Sequence, residues 1–286
     1  MADLTDRVCL VTGATRGLGR ATAEALANMG ATVLLHGRDS AAVGAVCREI
    51  QRRSGVPPRS VTGVVADFAS LADVRRLARE ITDRHGRLDV LVNNAGTVTM
   101  RRKPTADGFE WQLGINHLAP FLLTNLLLER LKASAPARII TVSSRAHRRG
   151  TLDFDDLNWE RRKYDGLQAY GASKLANILF TSELARRLAG SGVTANCLHP
   201  GVVATNIFNH AGLAGRLVGL LARWRMLSPA KGAETSVFLA SSPEVAEISG
   251  RYLEKCAAVE PTPAAQDMAA AQRLWEISEQ LTGLAE

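Results

Sequence analysis

The chain has no apolar run that reaches the roughly 18 residues of a membrane-spanning helix. No signal-peptide pattern precedes its first apolar stretch. Together these absences imply a soluble, cytoplasmic protein. Cysteine is scarce: Cys9, Cys47, Cys197 and Cys256 are scattered, with no Cys-x-x-Cys and no metal-ligand spacing. That excludes a disulfide framework and a metal site, and it fits a reducing compartment. Tandem repeats and linkers are also missing, so the 286 residues read as one domain, 1–286, long enough to bury a full core. The formal net charge is +7, with basic clusters at Arg101-Arg102-Lys103, Arg145 with Arg148-Arg149, and Arg161-Arg162-Lys163. None of them carries an aromatic stacking platform or a nucleic-acid motif. They read as solvated faces, and no nucleic-acid partner is expected.

What the chain does have is a regular alternation. Short aliphatic or β-branched runs at 7–12, 32–36, 61–66, 89–92, 138–143, 193–198 and 251–254 are mostly non-alternating, as in strands buried on both faces of a parallel sheet. Helical patterns fill the gaps, among them 70–85, 107–133, 166–190 and 230–241. This βαβ rhythm predicts an α/β fold, a single-domain doubly wound Rossmann-type sheet.

The first strand runs into Gly13-Ala14-Thr15-Arg16-Gly17-Leu18-Gly19 and then an Ala-rich helix. Glycines let a backbone approach a pyrophosphate, and a helix N-terminus offers free N–H groups and positive dipole. The spacing is Gly-x-x-x-Gly-x-Gly, and a tight packing turn is the plainer alternative. At the end of the second strand, His36-Gly37-Arg38 lacks the acidic residue that would bind the ribose hydroxyl of NAD. Arg38, with Arg16 in the glycine turn, suits a phosphate instead, so NADP(H) is the expected cofactor. Asp39 is a competing partner for Arg38.

Tyr170 and Lys174 are four apart on a predicted helix and share a face. A cation beside a phenol favours the phenolate, which makes the pair a candidate proton donor and acceptor for a carbonyl/alcohol couple.

Taken with Asp67, Asn93-Asn94-Ala95-Gly96, Asn116, Ser144 and Pro200-Gly201, these motifs resemble the short-chain dehydrogenase/reductase family over residues 5 to about 255. Asn116-His117-Leu118, Ser143-Ser144-x-Ala146-His147, Ser173-Lys174-Leu175-Ala176-Asn177 and Leu198-His199-Pro200-Gly201 resemble its retinol-dehydrogenase-like branch, which includes the WW-domain oxidoreductases. Many vertebrate members of that branch carry an N-terminal membrane anchor, which this sequence lacks.

The resemblance implies seven parallel strands in the order 3-2-1-4-5-6-7 and a catalytic set of Asn116, Ser144, Tyr170 and Lys174. Tyr170 would exchange the proton. Lys174 would lower the tyrosine pKa and bind the nicotinamide ribose. Ser144, rather than Ser143, would hydrogen-bond the developing alkoxide, and Asn116 would hold a water on the proton path. The implied cofactor contacts are Gly13, Thr15, Arg16, Gly17, Leu18, Gly19, Arg38, Asp67 at the adenine amine, Asn93 at the adenosine ribose, Ala95, Gly96, Tyr170, Lys174, Pro200, Val203, and Thr205 at the nicotinamide carboxamide. No metal is implied. Homodimers or homotetramers through the helices carrying Asn116 and Tyr170 are expected.

Two segments fall where substrate specificity varies. Between Ser144 and Tyr170 lie 25 residues, including Phe154 and Trp159, readable as a loop at the substrate mouth or as a surface loop docked by its aromatics. Over 211–227, within an expected lid at about 205–229, Leu213, Leu217, Leu220, Leu221, Trp224 and Leu227 share a helix face. That stripe suits a lipophilic substrate lid, a helix capping the core, or contact with a membrane surface. The function expected is hydride transfer between NADP(H) and a lipophilic or aromatic carbonyl or alcohol. The alternative is a non-catalytic NADP(H)-binding regulator on the same fold.

Overall fold

The computed structural model describes residues 3–201 and 227–285. Val203, Thr205 and nearly all of the expected lid lie outside the described residues.

The strands are β1 (Val8–Val11), β2 (Thr32–Gly37), β3 (Val61–Val65), β4 (Val90–Asn93), β5 (Ala137–Val142), β6 (Val193–His199), β7 (Tyr252–Glu254) and β8 (Ala257–Ala258). They form one sheet in the order β3-β2-β1-β4-β5-β6-β7-β8. The first seven are parallel, as expected, and the order matches. The sheet has one more strand than the sequence implied: β8 turns back antiparallel on β7 and occupies its outer edge. At two residues, Ala257-Ala258 is too short to leave a hydrophobic pattern.

Helices cover both faces. They are α1 (Gly17–Asn28), α2 (Ser40–Ser54), α3 (Leu71–Arg84), α4 (111–126), α5 (Leu128–Ala133), α6 (Gly166–Arg187), α7 (Pro229–Ser241) and α8 (Met268–Thr282). Alternate residues of each strand face opposite cores. Leu10 joins the one packed under α3, α4 and α6, whereas Cys9 and Val11 join the one under α1, α2 and α7. Side chains buried on both faces explain why the strands read as continuous apolar runs.

The expected helix over 107–133 is interrupted. α4 begins at Trp111–Leu113, widens to a π-turn at Gly114–Leu118 and resumes as Ala119–Leu126 before α5. The buried Glu110 side chain caps its start by accepting from Gln112 N and Leu113 N.

The sequence pattern did not single out α8. Asp267 caps its first turn and Gly283, at φ 63°, ends it in the left-handed region. Its Trp275 packs against Phe121 and Phe180, with ring centroids 5.0 and 5.9 Å away, and the Arg187 guanidinium lies 4.2 Å over the indole. Truncating a buried side chain of this size typically costs about 3–5 kcal/mol. α8 therefore seals the outer side of α4 and α6. These are the helices through which the resemblance implied pairing between copies, and α8 packs on part of them.

Candidate active site

The glycine turn leaves β1 at the carboxyl edge of the sheet. Gly13 and Gly17 have φ of 64° and 55°, where a side chain would strain the backbone. A Cβ on Gly13 would come within 2.8 Å of the Ala95 backbone, so turn and β4 loop pack directly together. Thr12, fully buried, accepts from Asn94 N and Ala95 N at 2.9 and 3.0 Å and fixes that loop. α1 starts without a side-chain cap and without an acidic residue in its first turn. Its first N–H groups are therefore open to an anion.

His36 is a positioning residue that sequence reasoning passed over. Its Nδ1 accepts from Gly13 N at 3.2 Å and its Nε2–H donates to the Ala66 carbonyl at 3.0 Å, while the ring stacks on Phe68 at 4.5 Å. Its own carbonyl takes Ala14 N at 2.8 Å. Two successive N–H groups of the turn thus rest on one residue. Burial pushes the imidazole down to about 4, and the Ala66 carbonyl and Asp67 only partly offset it. The signal was a histidine ending a strand of apolar residues.

Next to it, Gly37 packs on the turn: a Cβ there would meet Thr15 Cγ2 at 2.5 Å and Val43 Cγ2 at 2.8 Å. A side chain at position 37 would have to push both methyl groups aside. Arg16 and Arg38 are exposed on the two adjacent loops, and among the described residues neither has a carboxylate partner. Asp39 accepts from Ala42 N and caps α2. Asp67 accepts from Ala69 N at 3.0 Å, closing a local turn beside the same edge. Asn93 is buried at the end of β4, and its amide donates to Thr124 Oγ1 at 2.9 Å.

The line from Gly13 through Ala95 to Gly96 ends at the proton-transfer candidates. A Cβ on Gly96 would be 3.4 Å from Asn116 Oδ1 and 3.5 Å from Lys174 Nζ. Asn116, on the π-turn, accepts from Thr97 N at 2.8 Å and donates to Thr97 O and Ser173 Oγ, both at 3.0 Å. Both of its amide protons are committed, so its side chain has no free donor for the water it was expected to hold. Ser173 in turn donates to the Tyr170 carbonyl at 2.8 Å.

Lys174 is buried and donates to the Val142 carbonyl at 2.9 Å, with its nitrogen 5.7 Å from the Tyr170 ring centre. Burial lowers its pKa to about 8. Burial raises the Tyr170 phenol above its ordinary value, and the hydrogen bond with Ser144 opposes that rise. The two serines divide their tasks. Ser143 is buried and donates to the Lys174 carbonyl at 2.7 Å, whereas Ser144 is half-buried, accepts from Ala146 N at 3.2 Å and acts on the Tyr170 phenol, holding its pKa down. Pro200 and Gly201 follow β6 at the same edge, with Gly201 at φ 83°.

The insertion after Ser144 is docked. Trp159 is buried, edge-on to Tyr164 at 5.6 Å and covered by Arg162 at 3.9 Å. Asn158 accepts from Glu110 N, and Tyr164 donates to Glu110 Oε1 at 2.8 Å. Its aromatics brace the start of α4, which is the second of the two readings of this segment.

A doubly wound sheet whose glycine turn and Tyr–Lys helix converge on one edge is the architecture of a nucleotide-dependent oxidoreductase. The chain belongs to the short chain dehydrogenase family, whose model matches residues 7–213. It is 47% identical to retinol dehydrogenase 14 of Homo sapiens, with 97% of this chain and 87% of that protein covered. Retinol dehydrogenase 13 of Homo sapiens is 44% identical, with 99% and 86% covered. Among solved structures, an uncharacterized protein from Mycobacterium Paratuberculosis shares 37% identity and a TM-score of 0.80, covering 99% of this chain and 96% of that one. The Pseudomonas aeruginosa RhlG/NADP active-site complex has 28% identity, a TM-score of 0.70, and 88% and 95% covered.

Proposed function

We propose that this oxidoreductase uses NADP(H) to interconvert a carbonyl and an alcohol on a lipophilic or aromatic substrate. The observation that carries the reading is the convergence at Gly96: Lys174 and Asn116 lie against it, and Tyr170 stands one helical turn before Lys174 on the same helix. Relatives named retinol dehydrogenases support the apolar substrate class.

The residues present fit a dinucleotide. The uncapped start of α1 and the side-chain-free Gly13, Gly17 and Gly19 suit a pyrophosphate, with Thr15 and Leu18 beside them. Arg16 and Arg38 would take a 2′-phosphate, and neighbouring structures with NADP bound agree with that choice. When bound, NADP(H) supplies or accepts the hydride. The chain's own groups do the rest. Tyr170 gives its proton to the substrate oxygen in reduction and accepts it in oxidation. Ser144 donates to the same oxygen as negative charge grows on it. Lys174, with its pKa at about 8, is mostly an ammonium at neutral pH and stabilises the tyrosinate left behind.

Titrating the purified protein with NADPH and NADH by fluorescence tests the cofactor assignment. NADPH should bind more tightly, and Arg38→Asp should reduce or reverse the preference. Equal dissociation constants in the wild type would overturn it.

A further inference from the structure

The π-turn that presents Asn116 stands between two pinned side chains, and only one of them belongs to the site above. On one side Asn116 is held by Thr97 and Ser173. On the other, His117 reaches outward and its Nε2 meets Ser278 Oγ of α8 at 2.9 Å. Ser278 donates its own proton to the Leu274 carbonyl at 2.7 Å, so its oxygen is the acceptor and His117 Nε2 carries the hydrogen. Both residues are 1% exposed, so no water substitutes for either partner. The Asn177 amide lies against the same imidazole, from the helix that carries Lys174. Asn177 Nδ2 also donates to the Val142 carbonyl, the oxygen that anchors the Lys174 ammonium, at 3.3 Å.

A π-turn has a wider ring than the α-helix on either side, here closed from Ala119 N to the Gly114 carbonyl. Such single turns are rare and sit where a functional residue must be aimed. Relaxing to α-helix would rotate Asn116 and His117 together about the helix axis, because they are adjacent. Fixing His117 therefore fixes Asn116. α8 lies beyond residue 213, where the match to the family model ends.

We infer that His117 is a positioning residue and that α8, through Ser278, locks the π-turn which holds Asn116 on Thr97 and Ser173 beside Gly96. The C-terminal helix is thus part of the catalytic apparatus although no residue of it reaches the cofactor turn. This rests on the proposed oxidoreductase reading, and the two can fail separately.

The experiment compares wild type with Ser278→Ala, His117→Leu and the double variant, using NADPH and a panel of apolar aldehydes and ketones. Each single variant should lower kcat roughly ten- to a hundredfold, the cost of a misplaced catalytic group. NADPH affinity should stay within about twofold, because the glycine turn is untouched. The double variant should be no worse than the poorer single one, since both remove one link. Ser278→Thr keeps the hydroxyl and should restore turnover. Arg187→Met, which loosens α8 packing without touching the hydrogen bond, reports the effect of destabilisation alone and should leave kcat near wild type. Turnover within about twofold of wild type in both single variants, or an equal fall in Arg187→Met, overturns the inference. A wild type that neither binds NADPH nor reduces any carbonyl defeats the underlying reading instead.

Discussion

At the residue scale the site is decided by which groups are already spoken for. Ser143 and Ser144 are chemically identical neighbours, yet Ser143 bonds the Lys174 carbonyl and only Ser144 reaches Tyr170. Ser144→Ala should therefore lower kcat with cofactor affinity unchanged. Ser143→Ala should lower the melting temperature more than it lowers kcat. Steady-state assays beside thermal melts separate the two, and the reverse pattern would reassign the serines. Lys174 gives a pH signature. Its pKa is depressed to about 8, so the ammonium is present below that value and lost as pH rises through it. If that charge serves the tyrosinate, kcat/KM for carbonyl reduction should fall above about pH 8 in the free enzyme. Lys174→Arg cannot deprotonate in this range. It should retain less activity, but the limb near pH 8 should vanish. A limb that persists unchanged in that variant belongs to another group.

At the scale of elements, the strands and most helices were legible because each carries its own periodicity and its own end signals. Strand β4 is apolar up to its terminal Asn93 and buried on both faces, and α3 has its Ser70 cap and an apolar stripe. The π-turn was not legible, since Gly114 to Leu118 has the spacing of an ordinary helix. Only the tertiary partners Thr97, Ser173 and Ser278 distinguish it. α8 was missed for a related reason: although it runs for 15 residues, its apolar face is defined by what it covers. In the site, Tyr170, Lys174 and the glycine turn were legible from spacing, whereas the bond from Asn93 to Thr124 and the bridging role of His36 depend on contacts between distant segments.

His36 also yields a test of how the cofactor turn is held. Its folded pKa of about 4 lies below the ordinary 6.5, so the unfolded chain binds the proton first. The stability it contributes is full above pH 6.5 and is lost as pH falls toward 4. One such group gives a slope of about 1.4 kcal/mol per pH unit within that window. Urea unfolding at several pH values should show that slope, and His36→Gln, which can still accept from Gly13 N, should remove that part of it. An identical slope in the variant would mean that His36 is protonated in the folded protein.

At the scale of the whole molecule, the question is which surfaces are left for a second copy. The helices that carry Asn116 and Tyr170 offer a broad apolar flank, and a partner molecule laid along it was the natural expectation. In this chain part of the flank is occupied by α8, with Trp275 set between Phe121 and Phe180, and with Arg75 donating to the Gly283 carbonyl at 3.0 Å to tie down the helix end. At the far side of the sheet the edge strand is β8, and its two residues leave little backbone for another copy to pair with. A dimer through the helix flank would have to displace α8, breaking the His117–Ser278 hydrogen bond and exposing a buried indole. That loss is of the order of 3–5 kcal/mol for the indole alone. The protein is therefore expected to be a monomer in dilute solution. Light scattering coupled to gel filtration should return a mass near 30.7 kDa, unchanged on adding NADPH. The same measurement on Trp275→Asp separates the causes. If α8 is what keeps copies apart, this variant should release the flank and self-associate, or lose kcat through Asn116 while remaining folded. A wild type that elutes as a dimer, with α8 protected from proteolysis, would show that copies meet through some other face and that α8 is not what governs assembly.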